Sequence, residues 1–247
     1  MERTIAVQTQ LWGNSNLDND FTPIYDDVIR AGYDGVESRF TVLQQKEKLR
    51  RYLSENPLQI FALHTSPKAF YDGDIKPEFA ELLKDMNGFS IPNLLFSPAK
   101  YETMEEEREL LHIIDQMGER CADRGIRLSY HNHAWEFEKF GYDLFDAVME
   151  FKHIGIALDT GWLFRAGYPL EATVNRYRER IGYVHLKDTT KEQWKELGTG
   201  DANVAETTRI LDTLGLDVWT IEQDNSKLHP LESATISLNY FKRQFQS

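Results

Sequence analysis

Residues 126–137 read IRLSYHNHAWEF, and they set two imidazoles, a carboxamide and a carboxylate (His131, Asn132, His133 and Glu136) just after a short alternating run. Ile126, Leu128 and Tyr130 alternate with Arg127 and Ser129, the period of a strand. Three later stretches repeat the design: IGIALD at 154–159, IGYVHLKD at 181–188 and VWTIEQD at 218–224. Each is a short apolar run that ends in Asp, His or Glu. Ionisable groups at buried strand ends need partners, and a cation is the simplest partner for converging carboxylates and imidazole. Glu136, Asp159, His185 and Glu222 would offer three carboxylates and one imidazole. That mixed oxygen and nitrogen set suits one divalent ion, Mn²⁺, Mg²⁺, Co²⁺ or Zn²⁺, without choosing among them. A soft-metal site is disfavoured, because the single cysteine, Cys121, falls inside a helical pattern.

The rest of the chain has to bring these ends together. Short apolar runs at 4–9, 35–38, 58–64, 93–96, 126–130, 154–158, 183–187 and 218–222 are expected strands. Amphipathic stretches between them are expected helices, stopped by Gly32, Pro57, Gly125 and Gly215. Thr103 and Glu106 have the spacing of a capping box for the longest helix. Residues 189–203, polar and holding Gly198 and Gly200, are expected to be a loop.

Strict β/α alternation implies a parallel sheet buried on both faces. Eight units in 247 residues is the size of a single (β/α)8 TIM barrel domain spanning 1–247. A doubly wound sheet would carry a glycine-rich phosphate turn after its first strand, and QTQLWGN at 8–14 is not one. A barrel site lies at the carboxyl ends of the strands, which here carry Gln10 and Trp12, Glu37, His64, Ser97, the 131–136 cluster, Asp159, His185 with Lys187, and Glu222.

The net charge is −12 with no block of Lys or Arg, whereas a nucleic-acid surface needs a basic stripe. No nucleic-acid partner is expected. One cysteine excludes an internal disulfide framework and suits a reducing compartment. The first residues, MERTIAVQTQLWG, show neither the basic nor the apolar region of a signal peptide. No apolar run approaches the ~20 residues of a spanning helix. The expectation is a soluble cytoplasmic protein with no membrane partner; homo-oligomerisation stays open.

YHNHAWEF, IALDTGW, YVHLKD and IEQD, in this order, resemble the sugar phosphate isomerase/epimerase family of xylose-isomerase-like TIM barrels, in particular its inosose dehydratases and members acting on keto-sugars. The resemblance implies one divalent metal held by Glu, Asp, His and Glu. It assigns Asp159, His185 and Glu222 directly and Glu136 as the first ligand, with His133 as its substitute. It also implies a small polyhydroxylated carbonyl substrate bound at two neighbouring oxygens. Glu222 or Glu136 would take the proton beside the carbonyl, and Lys187 or a histidine would steady the enediolate oxygen. Returning the proton gives isomerisation or epimerisation, and expelling a β-hydroxyl gives dehydration. Glu37, His64, His131, Asn132, His133, Trp12 and Trp162 are the expected substrate contacts, although each tryptophan is equally compatible with packing, Glu37 and His64 with a network at the barrel mouth, and one of His131 and His133 with orienting a metal ligand. Two other readings remain open. One is a phosphodiester-cleaving, endonuclease-like barrel. The other is a sugar-binding barrel without turnover, because Trp162 stands where some relatives carry histidine.

Overall fold

The computed structural model describes residues 3–97, 100–141 and 143–245. Eight parallel strands close into a barrel: β1 (Thr4–Gln8), β2 (Gly35–Arg39), β3 (Gln59–Thr65), β4 (Asn93–Phe96), β5 (Arg127–His131), β6 (Gly155–Asp159), β7 (Ile181–Leu186) and β10 (Val218–Ile221). Their order around the wall is β1-β10-β7-β6-β5-β4-β3-β2. A TIM barrel is therefore observed, as the alternation predicts. Strand limits shift by one or two residues at β6 and β7. The expected loop at 189–203 contains a short antiparallel pair, β8 (Asp188–Thr189) and β9 (Trp194–Lys195).

Strand pleating explains both the core and the site. Successive side chains alternate between the two faces. Leu94, Leu128, Tyr130, Ile156, Leu158 and Val184 pack in the large apolar cluster under the helices. Ala62, Leu95, Ala157 and Tyr183 form a separate buried cluster. Two positions further along each of those strands come His64, Ser97, Asp159 and His185, so the polar layer rests on an apolar one. Tyr183 closes that layer sideways, its hydroxyl 2.6 Å from Thr220 Oγ1.

The register is uniform except at two places. Between β2 and β3, Val36 pairs with Ile60 but Glu37 with Ala62. Between β6 and β7, Ile156 pairs with Ile181 but Ala157 with Tyr183. Phe61 and Gly182 are thus the extra residues, each a short step below the polar layer.

The longest helix, Met104–Ala122, starts with the expected capping box: Thr103 Oγ1 accepts from the Glu106 amide at 3.1 Å, and Glu106 accepts from the Thr103 amide at 3.3 Å. A cap of this kind contributes about 1 kcal/mol. Asp188, last residue of the HLKD motif, is buried and gathers the loop behind it. Its carboxylate accepts from the amides of Thr189, Gly198, Gly200 and Ala202 at 2.8–3.2 Å. Among the described residues no helix is long and apolar enough to cross a membrane.

Candidate metal centre

Four neighbouring strands deliver His131 (β5), Asp159 (β6), His185 (β7) and Glu222 (directly after β10). All four side chains are buried, and one ligand atom from each lies within 4.8 Å of the others. Asp159 Oδ2 stands 3.3 Å from His131 Nε2 and 3.8 Å from His185 Nδ1. Glu222 Oε2 stands 2.7 Å from His185 Nδ1 and 3.6 Å from His131 Nε2. Although these atoms are close, His131 Nε2, His185 Nδ1 and Glu222 Oε2 make no hydrogen bond of acceptable geometry among the described residues. Buried polar atoms without partners are rare. Three of them converging with a carboxylate oxygen fit a divalent cation, and two imidazoles with two carboxylates suit Zn²⁺, Mn²⁺ or Co²⁺.

The group differs from the expected one at a single position. His131 stands where Glu136, or its substitute His133, was expected. Glu136 begins the helix Ala134–Glu138: its Oε2 accepts the His133 amide, and its Oε1 accepts from Tyr130 Oη at 2.8 Å. Its carboxylate is therefore turned away from the cluster and into the wall.

Asp159 divides its two oxygens. Oδ1 caps the helix Thr160–Arg165 by accepting from the Trp162 amide at 2.7 Å, which leaves Oδ2 for the cluster. Its backbone is clamped by Asn132, whose amide donates to the Asp159 carbonyl at 3.2 Å and accepts from the Asp159 amide at 2.9 Å. Asn132 was expected to meet substrate. It is fully buried and holds β5 to β6 instead.

Lys187 is buried behind the cluster. Its Nζ is 2.6 Å from Asp224 Oδ2 and 3.4 Å from both Asp159 Oδ2 and Glu222 Oε1. It also lies 4.1 Å from the Trp194 ring centroid. Gly161 lets it pass, since a Cβ there would come 2.9 Å from Lys187 Cγ. Burial alone would lower the Lys187 pKa, but Asp159, Glu222 and Asp224 raise it above the ordinary lysine value. The side chain is therefore an ammonium, and it does not line the cavity.

The same charges fix the other protonation states. Burial would raise the carboxyls of Asp159 and Glu222, yet Lys187 and the histidines hold both well below the carboxylate range. Burial would lower His131, but the neighbouring carboxylates of Asp159 and Glu222 push it up to about 9. Glu37 is held at about 2 against its burial by His185 and His64. Protons on the histidines therefore balance the carboxylates until a cation replaces them.

A cavity of about 380 Å³ opens above the cluster. His131 and Glu222 form its floor, with His64, Ser97, His133 and Asp224 around them. Gln8, Gln10, Asn14 and Arg39 supply polar walls, and Phe40 and Trp162 supply apolar ones. His64, His133 and Trp162 thus reach the cavity as expected of substrate contacts. Trp12 does not: it is part of the core, and its indole donates to Asp27 at 2.9 Å. Glu37 is fully buried below the cavity, 2.7 Å from His64 Nδ1 and 2.6 Å from His185 Nε2. Sequence reasoning passed over Asp224, Arg39 and Phe40. Asp224 and Arg39 carried a signal, each standing two residues beyond a recognised acid, Glu222 and Glu37.

A family model described as xylose isomerase-like TIM barrel matches residues 25–244. An inosose dehydratase of Mesomycoplasma hyopneumoniae strain J is 26% identical, over 96% of this chain and 95% of its own length. A sugar phosphate isomerase/epimerase from Parabacteroides distasonis superposes with a TM-score of 0.80 at 18% identity, covering 98% of this chain and 94% of that one. The IolI protein, solved with a bound zinc atom, superposes with a TM-score of 0.73 at 17% identity, covering 99% of this chain and 100% of that one.

Proposed function

Since the chain belongs to the xylose isomerase-like TIM barrel family, we propose that it is a divalent-metal-dependent enzyme that removes a proton beside the carbonyl of a small polyhydroxylated ketone or aldehyde, of the keto-sugar or inosose class. The observation that carries this reading is the convergence of His131, Asp159, His185 and Glu222, three of whose ligand atoms make no hydrogen bond among the described residues, on the floor of a polar cavity.

A cation held by these four residues would supply Lewis acidity at the substrate carbonyl oxygen. The chain supplies the rest. Among the described residues Glu222 is the only carboxylate both in the cluster and on the cavity surface, so it is positioned to take the proton from carbon. Lys187 holds Glu222 and Asp159 in place and keeps Asp224 beside them. Asp224 faces the cavity and is linked to Gln10 at 3.3 Å; it relays a proton to or from a substrate hydroxyl. Gln8, Asn14 and Arg39 are donors for hydroxyl oxygens, while Phe40 and Trp162 cover the carbon-bound face.

Reprotonation of the enolised carbon at the other position or face gives an isomerase or epimerase. Dehydration is the second reading, favoured by the inosose dehydratases among the relatives. Both begin with loss of a carbon-bound proton. The test is elemental analysis, expected to give about one divalent ion per chain, followed by solvent-deuterium exchange into a panel of keto-sugars and inososes. Exchange without loss of water supports the isomerase reading, and loss of water supports the dehydratase. No metal uptake from Mn²⁺, Co²⁺ or Zn²⁺ and no exchange would end the proposal.

A further inference from the structure

We propose that Glu37 is a positioning residue whose one carboxylate sets the tautomers of three histidines and so leaves a lone pair on each imidazole nitrogen that faces the metal. The inference rests on the metal reading above.

The contacts form one continuous chain. Glu37 Oε2 lies 2.6 Å from His185 Nε2, and Glu37 Oε1 lies 2.7 Å from His64 Nδ1. His64 Nε2 lies 2.6 Å from Ser97 Oγ, and Ser97 Oγ lies 3.3 Å from His131 Nδ1. Glu37 comes from the opposite side of the barrel, 148 residues from His185 in sequence.

Each link dictates the next. An ionised carboxylate only accepts, so His185 carries its proton on Nε2 and His64 carries its proton on Nδ1. His64 Nε2 must then accept, and the only hydrogen on Ser97 Oγ goes there. Ser97 Oγ is left as an acceptor toward His131, so His131 carries its proton on Nδ1. The nitrogens left over are His185 Nδ1 and His131 Nε2. These are the two ring nitrogens in the cluster that make no hydrogen bond. The direct arm is a carboxylate–histidine–metal arrangement. The second arm reaches the same result through a histidine and a hydroxyl. Glu37, His64 and Ser97 thus have one joint role, and for Glu37 and His64 it is the network at the barrel mouth rather than substrate contact alone.

Glu37→Gln is a sharp test, because the amide keeps the shape and replaces one acceptor with a donor. If its NH₂ faces His185, the His185 proton must move to Nδ1. If it faces His64, the His64 proton moves to Nε2, Ser97 turns round and donates to His131 Nδ1, and the His131 proton moves to Nε2. Either orientation removes one lone pair from the metal group. Co²⁺ affinity of Glu37→Gln, followed by its visible absorption, should fall by about 10- to 100-fold, the range for loss of an outer-shell partner. Where the NH₂ faces His64, as a His64 proton on Nε2 reports, adding Ser97→Ala cuts the second arm, so the double variant should bind Co²⁺ no worse than Glu37→Gln alone. Two independent structural losses would instead multiply, and that result overturns the relay.

Histidine ¹⁵N spectra of the chelator-treated protein give a readout that needs no metal. His64 should carry its proton on Nδ1 in the wild type and in Ser97→Ala, while in Glu37→Gln either the His64 proton moves to Nε2 or the His185 proton moves to Nδ1. A wild-type His64 protonated on Nε2 overturns the proposal even if Glu37→Gln fails to fold. If the wild type takes up no Co²⁺ but His64 behaves as stated, the metal reading fails while the tautomer chain stands.

Discussion

Lys187 Nζ lies 2.6 Å from Asp224 Oδ2 and only 3.4 Å from each of Asp159 and Glu222, so one buried ammonium serves three carboxylates. Removing it leaves Asp224 without its ion-pair partner and Asp159 and Glu222 with the histidines alone. Lys187→Met should cost about 3 to 5 kcal/mol in the metal-free protein, as breaking a buried ion pair does. Chemical denaturation with a chelator present checks this. Adding divalent metal should restore more stability to the variant than to wild type, because the added cation replaces part of the lost charge.

Glu222→Gln separates holding the cation from moving the proton. The amide oxygen still coordinates, but the group no longer accepts a proton at neutral pH. Solvent-deuterium exchange into substrate should fall by about a hundredfold or more, with a smaller fall in metal content. Equal exchange in variant and wild type would place the base elsewhere, with Asp224 next because it shares the cavity.

A pH effect is expected away from the site. Glu107 is buried, accepts from Tyr101 Oη at 2.6 Å, and has its pKa raised above 4.5 by burial and by the nearby charge of Glu136. Above pH 4.5 the unfolded chain has released this proton while the folded protein still holds it. The folded state is therefore favoured at the acid end of this window and loses stability as pH rises through the raised value. Glu107→Gln has no proton to lose. Its denaturation midpoint relative to wild type should improve as pH rises from 4.5 through the raised value and level off beyond it. A constant difference would refute this.

Cys121 is fully buried on the helix Met104–Ala122, and burial pushes its thiol up to about 12. The thiolate is the reactive form. Iodoacetamide at neutral pH should leave the native protein unlabelled and label it once after unfolding; mass spectrometry reads both.

The barrel was legible because each strand is a short apolar run and each helix has a clear stop, such as Gly32 or Gly215. The longest helix even showed its cap in Thr103 and Glu106. Asp159, His185 and Glu222 were legible as polar residues ending apolar runs. Residue type pointed to Glu136 as the fourth ligand, and pleat parity corrects it. Leu128 and Tyr130 face the helices, so Ser129 and His131 face the axis, whereas Glu136 already belongs to the next helix and bonds its first turn. Asn132, Glu37 and Ser97 could not be sorted from sequence. Whether a polar side chain meets substrate or a neighbour depends on contacts across the barrel, and Glu37 meets His185 from 148 residues away.

The two register shifts lie just below the bonded pair Glu37 and His185. If Gly182 paired in register instead of standing out of it, Val184 would pair with Asp159, and the imidazole would point outward into the helix layer. Loss of the Gly182 codon would therefore leave His185 opposite Asp159, whereas one residue gained between Tyr183 and His185 would turn the imidazole outward and silence the centre while every residue of its chemistry stays in the gene. Among descendants of this chain, an inactive copy is better diagnosed by counting the residues between Tyr183 and His185 than by checking whether the histidine survives.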